Sequence, residues 1–251
     1  WHMAMQRFFI DPKYINGNDV SFPEDIERQI RKVLRLESSD AIVVLDNTGM
    51  TYLVELQVKR GQPIQGAIVD KEPGRAEPKV GLRLCFSLSK KEKMEWIIQK
   101  CTEIGVTVFQ PFISSRSLVQ EAESFETKRE RYTTIAKEAA EQSMRSIMPV
   151  IMPVLSYEAL IAEKSDSVKL VLWEETTTVE RLKVEMLCLQ DGLMPAEIRV
   201  LIGPEGGFSR EEVEQAEEYG YHQVSLGDSI LRMETACVVA TAVVRHLCET
   251  K

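Results

Sequence analysis

The stretch Arg199–Val213, R-V-L-I-G-P-E-G-G-F-S-R-E-E-V, constrains this chain more than any other. Val200, Leu201 and Ile202 form a short apolar run that meets Gly203-Pro204-Glu205-Gly206-Gly207. Ser209 and Glu212 then follow at capping-box spacing ahead of a helical pattern. Strand, glycine loop and helix start in succession aim backbone N–H groups at a ligand. A second strand-like piece, Gln223–Leu226, leads through Gly227-Asp228 into I-L-R-M-E-T-A and a helix over Thr235–Leu247 that is apolar on most faces. Two such turns in one stretch predict two walls of a small-molecule pocket.

The glycine spacing matches neither the G-x-x-x-x-G-K-[ST] phosphate loop nor G-x-G-x-x-G, which disfavours nucleoside triphosphate hydrolysis and dinucleotide redox chemistry. Taken alone, the glycines also fit a tight turn that needs positive φ. Pro204 stiffens the loop, however, and Glu205 sits among glycines where a buried carboxylate requires a partner.

The hydrophobic period changes along the chain. Met5–Ile10 reads as a strand, Pro23–Leu36 as an amphipathic helix with a basic outside, and Ala41–Leu45 and Thr51–Val58 as a hairpin around Asp46-Asn47-Thr48-Gly49. Ile64–Val69 adds a strand, so the first 72 residues predict a small β-barrel. Lys71–Pro78 (K-E-P-G-R-A-E-P) reads as a linker. From residue 73 strands alternate with helices: strands at Gly81–Ser87, Val106–Ile113, Val168–Trp173, Ile198–Ile202 and Gln223–Leu226, helices at Lys90–Ile104 and Arg129–Ile147. That order predicts an α/β domain with a mostly parallel sheet. Ala122–Glu130 reads as a charged surface connection. Glu174–Glu180 reads as a loop at the carboxyl edge of the sheet, where ligands of open α/β sheets bind.

A net charge of −8 argues against bulk electrostatic binding of nucleic acid, but residues 73–153 hold 13 basic against 10 acidic side chains. Lys90, Lys91, Lys93, Arg116, Lys128, Arg129, Arg131 and Arg145 there form either a phosphate-binding face or solvated helix faces. Five widely spaced cysteines in apolar runs predict buried reduced thiols, and three scattered histidines predict no protein-ligated metal. No apolar run reaches membrane-spanning length and no signal peptide is apparent, which predicts a cytoplasmic protein. Trp1–Ala4 reads as a leftover tag ahead of Met5.

Seven pieces resemble one family in its own order: M-Q-R-F-F-I at Met5, K-V-L-R-L at Lys32, K-M-E-W-I-I-Q-K-C-T-E-I-G-V at Lys93, R-S-L-V at Arg116, I-A-K-E-A-A-E-Q-S at Ile135, L-I-G-P-E-G-G-F-S at Leu201 and I-L-R-M-E-T-A at Ile230. The chain is similar to the bacterial small-subunit ribosomal RNA uridine-N3 methyltransferases, the RsmE type of the SPOUT class. The resemblance implies a PUA-like β-barrel that binds RNA (residues 1–72) and a trefoil-knotted methyltransferase domain (residues 73–251) that dimerises and uses S-adenosylmethionine. It places Leu172, Trp173 and Glu174 on one cofactor wall, Gly203, Pro204, Glu205 and Gly206 on the second, and Leu226, Gly227, Ile230, Leu231 and Arg232 on the third. It points to Arg232 as stabiliser of charge on the uracil and to Glu205 as the other candidate catalytic group. Glu234 lies beside them; its competing role is a carboxylate at a helix N-terminus. For RNA it implies Arg7, Arg35, Arg116, Ser117, Lys137, Gln142 and Arg145. Arg28-Gln29, Ser39-Asp40 and Cys237 depart from the family pattern. A noncatalytic RNA-binding or ribosome-assembly factor on the same fold, and methylation of another RNA, are the competing functions.

Overall fold

The computed structural model describes residues 5–174, 181–188 and 192–249. The chain forms two compact units, one of the residues up to Glu77 together with Ala140–Met148, the other of Pro78–Ala139 and the residues from Pro149 onward. Trp1–Ala4 and nearly all of the predicted Glu174–Glu180 loop lie outside the described residues.

The first unit contains β1 (Arg7–Phe9), β2 (Ile15–Asn16), β3 (Asp19–Ser21), α1 (Glu24–Arg28), β4 (Ala41–Leu45), β5 (Met50–Gln57) and β6 (Gln65–Pro73). Its described strands make one sheet in the order β1-β4-β5-β6-β3-β2, antiparallel except for β1 beside β4. The predicted hairpin forms: Asn47 and Gly49 take positive φ, and the Asp46 carboxylate accepts hydrogen bonds from Thr48 and Tyr52. The predicted helix loosens after α1 into wider π-helical turns over Gln29–Leu34 and ends at Arg35, whose φ of 55° is left-handed. The predicted linker is corrected in part. Lys71 and Glu72 pair with Tyr52 and Thr51, so β6 runs to Pro73, a strand end where the missing N–H does no harm.

The second unit contains β7 (Gly81–Ser87), α2 (Lys91–Ile104), β8 (Val108–Ile113), α3 (Glu123–Glu126), α4 (Arg129–Gln142), β9 (Val150–Ile151), β10 (Leu155–Ser156), α5 (Tyr157–Ile161), β11 (Val168–Leu172), β12 (Glu197–Ile202), α6 (Arg210–Glu218), β13 (Tyr221–Val224) and α7 (Met233–Glu249), with the last turn of α4 passing into the first unit. Every described pairing in its sheet is parallel, in the order β10-β8-β7-β12-β11-β13, with β9 also on β8. A parallel sheet covered on both faces needs strands apolar on both sides. Leu84, Phe86, Val200 and Leu170 meet α2 and α7, whereas Cys85, Leu201 and Val171 meet α5 and α6. Each fully buried side chain of this size contributes about 1.5–3 kcal/mol.

Two sequence readings are revised here for physical reasons. Ala122–Glu130 lies at the surface apart from Phe125, but it carries α3, where Phe125 is buried with its ring 4.6 Å from that of Tyr132. The predicted Arg129–Ile147 helix stops at Gln142, because Met144 turns left-handed (φ 65°) and Arg145, only 1% exposed, turns in to pair with Glu77. Along α7, Met233, Cys237, Ala240, Thr241, Val244 and Cys248 form one buried stripe. Among the described residues no helix is long and apolar enough to cross a membrane.

Candidate active site

Strands β12, β11 and β13 are neighbours, so the loops leaving their carboxyl ends meet at one edge of the sheet. There they enclose a cavity of about 400 Å³, within the about 300–1,000 Å³ range of small-molecule pockets.

The glycine loop is shaped by its own contacts. Gly207 donates its N–H to the Pro204 carbonyl at 2.9 Å, closing a turn, and its φ of 67° disfavours any side chain. At Gly203 a Cβ would stand 3.0 Å from the Phe208 ring, which stacks on Phe112 and packs against Tyr157. The predicted capping box is present: Glu212 N–H donates to Ser209 Oγ at 3.2 Å, and Ser209 N–H donates to Glu212 Oε2 at 2.8 Å. The other Glu212 oxygen accepts from Ser115 N–H and Oγ, which ties the loop after β8 to α6.

Three charges converge on this loop. Lys93 Nζ lies 3.0 Å from Glu205 Oε1 and 3.0 Å from Glu234 Oε2, and Ser89 Oγ–H also donates to Glu205. Burial alone would raise the Glu205 carboxyl, but hydrogen bonds from Ser89, Lys93 and its own backbone hold it below the ordinary carboxylate range. Glu234 is likewise lowered, its burial outweighed by its own backbone N–H and by Lys93. Burial pulls the Lys93 ammonium down while the two carboxylates raise it, and the carboxylates win. All three groups are therefore ionised at neutral pH.

Of the residues expected to hold a cofactor, Leu172, Trp173, Glu174, Gly203, Pro204, Glu205, Leu226, Gly227, Ile230, Leu231 and Arg232 line this cavity, and Gly206 does not. The Gly206 carbonyl instead accepts from Arg116 at 3.3 Å. Arg232 is exposed, and Ile230 is 81% exposed. Sequence reasoning missed Lys93, Ile202, Gly207, Phe208, Val224, Ser225, Ser229, Met233 and Ala236 as lining residues. Ile202 and Phe208 flank the glycine loop and were within reach of that motif. Lys93 was not, because its partners lie 112 residues away at Glu205 and beyond.

The residues expected to meet RNA are dispersed. In the first unit Arg7 is buried, Arg35 and Gln142 are exposed, and Arg145 is buried against Glu77. In the second, Arg116 is exposed, Lys137 is half-buried, and Ser117 is buried with its hydroxyl between Ser87 and Ser114. As folded, the Arg145 and Ser117 side chains serve internal bonds and present no polar group to a phosphate.

A family model described as an RNA methyltransferase domain matches residues 76–245, which covers the whole parallel sheet and its pocket. That fold and cavity define the class. The chain is 31% identical to ribosomal RNA small subunit methyltransferase E of Bacillus subtilis over 98% of both chains. It is 32% identical to the Synechocystis protein of that name over 97% of this chain and 78% of the other. The crystal structure of ribosomal RNA small subunit methyltransferase E from Neisseria gonorrhoeae bound to S-adenosyl methionine aligns with a TM-score of 0.81 and 29% identity, over 97% of this chain and 98% of that one. The chain belongs to the ribosomal RNA small subunit methyltransferase E family.

Proposed function

We propose that this protein transfers a methyl group from S-adenosylmethionine to N3 of a uridine in small-subunit ribosomal RNA. The observation that supports this reading most directly is that Arg232 and Glu205 line one cavity with the three loop walls, in a chain that matches its methyltransferase relatives almost end to end.

The residues present suit the cofactor. Leu172, Ile202, Leu226 and Leu231 offer apolar surface to an adenosine, and Glu174 and Glu205 offer carboxylates to a cation. When bound, S-adenosylmethionine supplies a methyl group on a positively charged sulfur that departs as a neutral thioether. On the substrate, the N3–H proton would pass to solvent water, leaving the N3 lone pair free to accept that methyl group. Arg232 faces the negative charge that spreads over the uracil oxygens as N3 loses its proton. Glu205 is already committed to Ser89 and Lys93 and is a weak base. We assign it to holding the glycine loop and orienting the reacting groups rather than to strong proton abstraction.

The first unit acts in this reading as a PUA-like RNA-binding barrel, with the exposed Arg35 as its cation, while the buried Arg7 lies in the field of Glu141 and Glu72. Arg116 and Lys137 supply phosphate contacts on the second unit. The second unit is trefoil-knotted and pairs as a homodimer, a role suited to the half-buried Val238, Val239 and Val243 of α7, and the enzyme works in the cytoplasm. The deciding experiment incubates the protein and labelled S-adenosylmethionine with small subunits that lack the modification. Label at uridine N3 is expected; cofactor binding without label would instead favour a noncatalytic RNA-binding factor.

A further inference from the structure

A second concavity of about 110 Å³ lies at the β7–α2 junction. Ser89, Lys90 and Lys91 form one wall, Ser124 and Lys128 another, and Tyr132 lies among the lining residues; no carboxylate lines it. The Lys91 ammonium is 3.6 Å from Glu95, which also binds Arg131, whereas Lys90 and Lys128 have no ion-pair partner among the described residues. Lys90 is also the N-cap of the 14-residue α2, so the positive end of that helix adds to the lysines. A space this small excludes a nucleoside, for which the neighbouring cavity of about 400 Å³ is the right size. The Ser89 and Ser124 hydroxyl protons are already given to Glu205 and to the Glu121 carbonyl, and Leu88, Met94, Val119 and Phe125 make the rest of the lining apolar. Lys90 and Lys128, unpaired among the described residues, are therefore the two cations that a single small anion would meet there.

The two cavities share a wall. Ser89 lines the lysine recess and donates its hydroxyl proton to Glu205 of the methylation pocket, and Lys93, one helical turn from Lys90, lines that pocket directly. Ser89 thus links the lysine recess to Glu205 of the glycine loop. We propose that the recess seats one phosphodiester of the substrate RNA, next to the nucleotide that enters the methylation pocket. This rests on the RNA-methylating function proposed above and adds to it a specific anchoring point, built by the starts of α2 and α4.

The test measures binding of the full-length protein to unmodified small-subunit ribosomal RNA across a salt series, without reference to turnover. Because both lysines serve one phosphate, the double variant Lys90→Gln/Lys128→Gln should lower the slope of log K against log salt by one phosphate's worth, roughly 0.7–1, and each single variant by no more than that. The RNA Kd should rise several-fold and S-adenosylmethionine affinity should stay unchanged. Lys90→Arg/Lys128→Arg should restore the slope, and the exposed charge control Lys79→Gln/Lys164→Gln should leave it unaltered. An unchanged slope in the double variant, or a loss of two phosphates' worth, would overturn the single-phosphate seat. Titration with inorganic phosphate forms the second arm: saturable binding lost in the double variant, with the RNA slope unmoved, would assign the recess to a free anion and also overturn the proposal. Loss of methylation in wild-type protein with the slope effect intact would count against the catalytic reading and leave the seat standing.

Discussion

The Lys93 ammonium lies 3.0 Å from the Glu205 carboxylate, joining the first turn of α2 to the glycine loop, and its second ion pair, to Glu234, joins both to the head of α7. Three elements that are distant in sequence thus meet at one cation. Lys93→Met leaves two carboxylates facing one another without it and should destabilise the fold by about 1–2 kcal/mol, a partly buried pair being worth less than a fully buried one. The pH dependence has a definite sign. Both carboxyls are lowered from 4.5 in the folded chain, so their contribution is complete above that value and disappears as pH falls through the lowered pKa values. In Lys93→Met this acid limb should move toward neutral pH, in denaturation midpoints and cofactor affinity alike. An acid limb identical to that of wild type would remove the basis for assigning Lys93 this linking role.

Arg232 lines the pocket and is exposed. Arg232→Ala should lower the rate of methyl transfer by about 10²-fold, the scale of losing one group that stabilises developing charge. Cofactor affinity measured by calorimetry should change little. Loss of cofactor binding in a folded variant would contradict the role.

Gly203→Ala puts a methyl 3.0 Å from the Phe208 ring, which is already held by Phe112 and Tyr157. The ring has little room to yield, so the expected cost is about 1–3 kcal/mol of stability together with weakened cofactor binding. Thermal unfolding and calorimetry on the same preparation would check both.

Glu77 accepts hydrogen bonds from the backbone N–H groups of Ser146 and Ile147 at 2.7 and 2.9 Å and pairs with the buried Arg145. Glu77→Ala leaves a buried guanidinium without this carboxylate and should destabilise the first unit by about 3 kcal/mol. Chemical denaturation would read the loss, and a change below about 0.5 kcal/mol would mean that Arg145 finds compensation elsewhere.

Burial pushes the Cys85 and Cys101 thiols up to about 12 and raises Cys237 well above its ordinary value. At pH 8 these three should resist alkylation until the protein unfolds, and the half-buried Cys188 should react first. Mass spectrometry after a timed iodoacetamide pulse would give the order.

Much of the parallel sheet was legible because its strands are apolar on both faces, a pattern set by local sequence. The capping box was legible for the same reason: Ser209 and Glu212 are three residues apart and satisfy each other. Contacts made across long separations were not. Nothing near Lys93 announces Glu205 or Glu234, and the small residues of Arg129–Ile147 read as continuous helix although Arg145 is drawn away by Glu77. β13 sits earlier than the pattern suggested because Tyr221, polar at its tip, is buried by its ring. The walls of the candidate site could thus be read from motifs, while the charges that hold those walls together depend on folding.

Residues 140–148 belong to the first unit, and their Ala140 packs with Phe9, Val43 and Leu45. A ribosome making this chain releases residues 5–77 well before that segment exists. At roughly 5–20 residues per second the first unit waits several seconds with one side of its core open. The order of synthesis and the order of completion therefore differ: the amino-terminal unit is the first to emerge but cannot close until part of the catalytic unit has been made. A fragment cut at Glu77 should behave as an unfinished fold, and any cellular factor that shields exposed apolar surface has its opportunity in that interval.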